Sequence, residues 1–152
     1  PRTVRQGHAG RADHGIVAAV KQAVHAPVMG GGDLRSAGQA VRLLRETGCD
    51  LTFFGRAAIG DPWIFSRARR LWDEGREEPA PEYSEVRRVF RRHAEMLALY
   101  LGEETACLRV RRLAREYARA LGDEGARKAF YSSLRNVRRL EEVWRVTSRL
   151  GS

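Results

Sequence analysis

Two short apolar runs, each stopped by glycine and then a charge, constrain this chain more than anything else in it. The first is Ala26-Pro27-Val28-Met29-Gly30-Gly31-Gly32-Asp33; the second is Leu51-Thr52-Phe53-Phe54-Gly55-Arg56-Ala57-Ala58. Apolar runs bounded in this way read as buried strands. Glycines at a strand's exit let a ligand come close to the backbone, with N–H groups free to donate. Between the runs, Ser36 and Gln39 have the spacing of a capping box, Ala40, Val41 and Leu44 share one helical face, and Gly48 stands where a C′ glycine ends a helix. A helix crossing between two strands makes them parallel neighbours.

The flanking segments extend the pattern. Asp13 is placed to cap a helix carrying Ile16, Val17, Val20 and Val24, which His25-Ala26-Pro27 stops. Asp61-Pro62 predicts an N-cap with proline at N1, opening a helix through Trp63, Ile64 and Phe65 towards Leu71 and Trp72. Residues 13–76 therefore read helix, strand, helix, strand, helix. Two strands do not make a stable sheet alone, and a parallel sheet needs both faces covered. This half reads as the last quarter of a (β/α)8 barrel or the end of a doubly wound sheet. The opening segment, Pro1 to Gly10, is polar loop without a starting methionine or a preceding strand; it packs as a terminal arm or follows a missing upstream half.

The run Gly75-Arg76-Glu77-Glu78-Pro79-Ala80-Pro81 changes the pattern. It divides the chain into a barrel-like part over 1–76, a linker over 77–81 and a helical part over 82–152. One apolar stripe runs Val86, Val89, Phe90, His93, Leu97, Tyr100, Leu101 and ends at Gly102. A second runs Ala106, Val110, Leu113, Ala114, Tyr117, Leu121. A third begins with Ala126, Ala129 and Phe130, and a fourth holds Leu140, Val143, Trp144 and Leu150. This predicts a small all-α bundle of about four helices.

The formal charge of +9 points to a polyanionic partner. The cations are almost all arginine, with lysine only at Lys21 and Lys128, a skew that a GC-rich genome also produces. After residue 78 there are 16 basic residues against 10 acidic, a net of +6; over residues 1–78 there are 12 against 9, a net of +3. That excess in the bundle favours a phosphate-backbone partner such as RNA. No run approaches the roughly 20 apolar residues of a membrane helix. Two cysteines far apart, Cys49 and Cys107, speak for a reducing, cytoplasmic setting.

Each candidate site has a bland alternative. Gly30-Gly31-Gly32-Asp33 reads as an anion-binding nest or as a plain turn. Gly55-Arg56 reads as a second nest with a fixed charge suited to bidentate phosphate binding, or as a surface arginine. The two together favour the phosphate reading, because (β/α)8 barrels often hold phosphate in the loops after strands 7 and 8. Cys49, at the far end of its strand, and Cys107 read as structural. His8 and His14 lie in or beside the opening loop, and His93 falls on an apolar stripe. No metal-ligand spacing and no nucleophile–base arrangement stands out, so no catalytic residue is assigned. Arg87, Arg88, Arg91 and Arg92, and then Arg109, Arg111, Arg112, Arg115 and Arg119, avoid the apolar stripes. They read as an RNA face or as a solvated face paired with Glu85, Glu95, Glu104 and Glu116.

The sequence resembles the carboxyl-terminal part of the tRNA-dihydrouridine synthases. The resemblance rests on Arg2-Thr3-Val4-Arg5-Gln6-Gly7-His8-Ala9-Gly10-Arg11-Ala12-Asp13, Pro27-Val28-Met29-Gly30-Gly31-Gly32-Asp33-Leu34 and Thr47-Gly48-Cys49-Asp50. Most distinctive is Gly55-Arg56-Ala57-Ala58-Ile59-Gly60-Asp61-Pro62-Trp63-Ile64-Phe65, which argues against another phosphate-binding barrel enzyme. The resemblance implies an FMN-binding (β/α)8 barrel followed by a helical tRNA-gripping domain, a monomer as the full-length enzyme, that uses NADPH as reductant to convert uridine to 5,6-dihydrouridine. It implies that Gly31, Gly32 and Asp33 contact FMN after strand 7 and that Gly55 and Arg56 bind its phosphate after strand 8. Arg2, Arg111, Arg112 and Arg115 are the RNA-contacting candidates.

The chain departs from the family pattern in three places. Gly31 stands where the family usually has asparagine, so a side-chain contact is lost while a backbone contact can persist. Arg111-Arg112-Leu113-Ala114-Arg115-Glu116-Tyr117 lacks the histidine and tryptophan common in the second bundle helix. The family's catalytic cysteine, its flavin-contacting lysine and a histidine would all precede Pro1. The expectation is a chain that alone binds FMN weakly or not at all, does not turn over, and exposes an apolar sheet edge. The alternative is a catalytically incomplete basic RNA-binding module.

Overall fold

The computed structural model describes residues 1–2, 5 and 9–149. Its elements are α1 (Gly15–Ala23), β1 (Met29–Gly31), α2 (Ala37–Thr47), β2 (Leu51–Phe53), a 3₁₀ turn (Arg56–Ala58), α3 (Ile64–Glu74), α4 (Tyr83–Leu101), α5 (Glu103–Ala118), α6 (Glu124–Leu134) and α7 (Leu140–Arg149). The chain is mixed α/β and mostly helical. It divides into two compact units, one of residues 1–58 with 62–78 and one of residues 59–61 with 79–152.

The first unit is built on β1 and β2, which pair in parallel with Met29 opposite Leu51, Gly30 opposite Thr52 and Gly31 opposite Phe53. The strand therefore includes two of the three glycines, whereas the sequence pattern put all three at its exit. The reason is close packing. A Cβ on Gly30 would lie 2.9 Å from Cys49 Sγ, 3.1 Å from Leu43 Cδ2 and 3.1 Å from Val17 Cγ1. Side chains from α1 and α2 fill the space that any other residue would need. Val17, Leu34, Ala40, Leu43, Cys49, Phe54 and Ile64 form the core on this side of the sheet.

Successive strand residues point to opposite faces. Met29, Leu51 and Phe53 accordingly sit on the other face, where they are 59 %, 54 % and 59 % exposed. The exposed apolar surface of this unit thus includes a face of the sheet.

Local signals explain the helices. Ser36 Oγ accepts from Gln39 N at 3.3 Å, and Gln39 Oε1 accepts from Arg35 N at 2.6 Å, one residue before the return bond of a regular capping box. Gly48 closes α2 in the left-handed region, φ 66°, its N–H bonded to Leu44 O. Asp13 Oδ1 accepts from Gly15 N at 2.8 Å, with His14 in the cap position of α1. At the other end of the sheet, Asp50 accepts from Lys21 Nζ at 2.7 Å and from Val28 N at 2.7 Å, tying α1 to the start of both strands. The helix predicted from Asp61 begins later. Its first hydrogen bond runs from Arg67 N to Trp63 O, so Trp63 takes the cap position and Pro62 and Trp63 form a turn ahead of it.

The second unit contains the four helices α4 to α7. Its centre is aromatic: Phe90 meets Tyr117 and Phe130 edge-on at 5.2 and 5.1 Å, and Tyr83 meets Phe130 at 6.0 Å. Val86, Phe90 and Ala94 carry the buried stripe of α4. The predicted continuation does not stay inside, because Tyr100 and Leu101 in the last turn are exposed. Leu150, assigned to the fourth stripe, lies outside the described residues. Arg91 binds α4 to α7, donating to Thr147 Oγ1 at 2.7 Å and to Trp144 O at 2.6 Å while lying over the Trp144 ring.

Gly30→Ala should therefore destabilise the chain by about 1–3 kcal/mol through overpacking. Gly38→Ala, whose Cβ meets nothing within 4 Å, should gain about 0.5 kcal/mol from reduced unfolded-state entropy. Urea unfolding of the two variants checks both signs, and equal effects would contradict the packing account of Gly30.

Candidate functional site

Parallel pairing puts the carboxyl ends of β1 and β2 side by side. Gly32 and Asp33 follow β1 directly; Phe54, Gly55 and Arg56 follow β2. Asp33 adopts a left-handed backbone, φ 55°, the one described non-glycine residue with a positive φ. Aspartate tolerates this region better than most residues. The turn aims its carboxylate back across the strand ends.

That carboxylate is the hub of the site. Its Oδ2 accepts from Arg2 Nη2 at 2.6 Å and from Ala12 N at 2.9 Å. Its Oδ1 lies 3.6 Å from Arg56 Nη2. Arg2 also donates to Gly10 O at 2.9 Å, and Asp13 N donates to Pro1 O at 2.9 Å, so Pro1 and Arg2 are anchored beside the strand exit. His14 Nε2 shares a hydrogen bond with Gly32 O at 2.9 Å. Gly32, φ 106°, has no room for a side chain, because its Cβ would lie 2.7 Å from Ala12 Cβ.

The Arg2 guanidinium, bonded to the carboxylate, holds the Asp33 pKa below its ordinary 3.8; the Ala12 amide and the charge of Arg56 act in the same direction. Asp33 is therefore ionised throughout the neutral range. Two guanidiniums against one carboxylate leave a local excess of one positive charge. The Arg56 side chain is 79 % exposed. Arg2 Nε is buried and has no hydrogen-bond partner among the described residues. A Cβ on Gly55 would meet only the Phe53 ring, at 3.5 Å. This donor set, cationic and with spare N–H groups beside an uncluttered backbone, fits an oxyanion such as a phosphate group.

The predicted site residues divide accordingly. Gly32, Asp33 and Arg56 come together, with Gly55 just before Arg56. Gly31 lies inside β1. Arg2, an RNA-contacting candidate in the sequence analysis, sits in the Asp33 cluster. The roles of Ala12 N and His14 were not read from the sequence; the sole advance signal was an aspartate at a strand exit, which calls for a positive partner.

In the second unit, Arg112 and Arg115 lie exposed on α5, while Arg111 is half-buried and spends its Nε on Val137 O at 2.9 Å. Arg88, Arg92 and Arg119 pair with Glu85, Glu95 and Glu116 at i,i+3 spacing. His93 Nδ1 shares a hydrogen bond with the Tyr117 hydroxyl at 3.2 Å. Burial lowers the His93 pKa and pushes that of Tyr117 up to about 12, which suits a neutral packed pair. Cys49 and Cys107 are both buried, and burial pushes the Cys107 thiol up. His8 lies outside the described residues. Among the described residues no three His, Cys, Asp or Glu side chains gather to hold a metal ion, and no helix is long and apolar enough to cross a membrane.

Comparison with known proteins gives a consistent result. A family model described as dihydrouridine synthase matches residues 1–147. A probable tRNA-dihydrouridine synthase of Mycobacterium tuberculosis is 35% identical over 112 residues, which is 73% of this chain and 29% of that protein. The tRNA-dihydrouridine synthases B of Pseudomonas aeruginosa and Xanthomonas axonopodis are 38% and 37% identical over 103 and 102 residues, 68% and 67% of this chain and 31% of each relative. The chain thus spans about three-tenths of the length of the curated relatives it matches.

Because Asp33 has a depressed pKa when folded, its tether is fully present above the ordinary carboxylate value of 3.8 and is lost as pH falls through the lower folded value. A carboxyl ¹³C titration should find the Asp33 midpoint below 3.8. A midpoint at or above it would contradict the Arg2 clasp.

Proposed function

The chain belongs to the dihydrouridine synthase family, and on that premise we propose that it supplies the flavin-phosphate part of a tRNA-dihydrouridine synthase site. The observation that carries the reading is the exposed Arg56 side chain beside Asp33 at the ends of two adjacent parallel strands. On this reading β1 and β2 are strands 7 and 8 of a (β/α)8 barrel spanning residues 1–76. Residues 77–81 are a linker and 82–152 a helical tRNA-gripping domain. The enzyme reduces uridine in tRNA to 5,6-dihydrouridine, with NADPH as the reductant, as a cytoplasmic monomer.

FMN, when bound, supplies the hydride. This chain's own residues bind and orient. Arg56 offers paired donors to the phosphate, and the Gly55 backbone gives it close approach. The backbone at Gly31 and Gly32 borders the ribityl side, and Asp33 fixes the cationic side chains around it. Residues matching the family's general acid are not assigned in this chain.

Titration of the ¹⁵N-labelled chain with FMN tests the reading. Weak binding still registers as shifts of the backbone amides of residues 31–33 and 55–58, and Arg56→Ala should weaken the response roughly tenfold, the loss of one charge-assisted bidentate contact. No shift at those amides with millimolar FMN would overturn it.

A second reading, RNA binding without catalysis, is favoured by the exposed Arg112 and Arg115 within a stretch of net charge +6. The full chain should bind tRNA with steep salt dependence. Arg112→Ala with Arg115→Ala should reduce the slope of log K against log salt by roughly two. A salt-insensitive complex would argue against phosphate contacts.

A further inference from the structure

We propose that the Asp33 side chain is a positioning group for the anion site: its carboxylate orients Arg2 and Arg56 and does not itself contact the flavin. The proposal rests on the flavin-phosphate reading above and assigns one carboxylate a different task from the ribityl contact that the family resemblance implies.

The geometry separates the two tasks. Asp33 Oδ2 already accepts two hydrogen bonds, from Arg2 Nη2 at 2.6 Å and from Ala12 N at 2.9 Å. Oδ1 faces Arg56 Nη2 at 3.6 Å. The carboxylate is thus directed at protein cations on both oxygens. Asp33 and Arg2 are one-quarter and one-fifth exposed, whereas Arg56 is 79 % exposed. The inner pair is covered and the outer guanidinium is presented. A carboxylate beside a phosphate is unfavourable by charge alone. Its placement here follows if it holds flexible arginine side chains in one arrangement, lowering the ordering cost of binding.

The proposal makes a prediction whose sign differs from the alternatives. Replacing Asp33 by Asn removes a negative charge and raises the local excess from one positive charge to two. Simple attraction would then tighten FMN. A lost ribityl contact would weaken FMN and riboflavin alike. A positioning role weakens FMN alone. Asn tolerates the left-handed backbone at this position, so Asp33→Asn suits the fold, and Asp33→Gly, unstrained at φ 55°, serves as a second variant.

The experiment follows the ¹⁵N-labelled full chain and both variants by NMR. It reads the amide shifts on titration with FMN and with riboflavin, and the arginine Nε–Hε relaxation without ligand. The expected result is an FMN affinity roughly fivefold or more lower in both variants, riboflavin unchanged, and faster motion of the Arg2 and Arg56 side chains. Tighter or unchanged FMN binding overturns the proposal, as does equal weakening of both flavins. If the wild-type chain gives no response to FMN, the flavin-phosphate reading falls, and the arginine relaxation decides the positioning role alone. Loosened arginines in the variants then support it, and unchanged ones overturn it.

Discussion

The parallel pairing of β1 with β2 is the constraint on which the first unit depends. Each strand has only three residues, yet their register sets Gly31 opposite Phe53. Asp33 lies two residues past one member of that pair, and Arg56 three past the other. The register therefore decides which charges meet. It is held from the covered face, where Gly30 lets Val17, Leu43 and Cys49 converge without a Cβ between them. At the opposite end Asp50 ties Lys21 and the Val28 amide together. A slip of one residue would turn Gly30 outward and drive a larger side chain into the contact. It would also separate Asp33 from Arg56.

Much of this was legible in the sequence, for local reasons. Both strands, the crossover helix and its Gly48 stop follow from periodicity and punctuation within a dozen residues. The four helices of the second unit follow from apolar stripes broken at Gly102; the Asp123 cap, whose Oδ1 accepts from Ala126 N, was not read from the sequence. What escaped was non-local. Arg2 meets Asp33 across 31 residues, and no pattern within either segment announces that pairing. The glycine triplet illustrates the same gap. Its composition suggested one nest, whereas Gly30 serves packing, Gly31 pairs in the sheet and Gly32 makes room for Ala12. The late start of α3 and the exposed end of α4 show local propensity yielding to what the surrounding packing allows.

The second unit uses its arginines in different ways. Arg88, Arg92 and Arg119 pair with glutamates on their own helices or beside them. Arg91 and Arg111 are spent on carbonyls and hydroxyls of the fold, Arg91 binding one helix to another. Arg112 and Arg115 stay on the surface. A net charge read from composition cannot distinguish a cation that holds the fold from one that meets a partner. The family, shown by the match over residues 1–147, is the context for the proposal that the surface group meets tRNA.

The central claim is that the strand exits hold a flavin phosphate. Crystals of the chain soaked in FMN test it most directly, with the phosphorus located in difference density. The account predicts phosphate oxygens within hydrogen-bond distance of the Arg56 guanidinium and the backbone beside Gly55, with Asp33 still bonded to Arg2. Phosphate bound elsewhere, with Arg56 left in solvent, would contradict it.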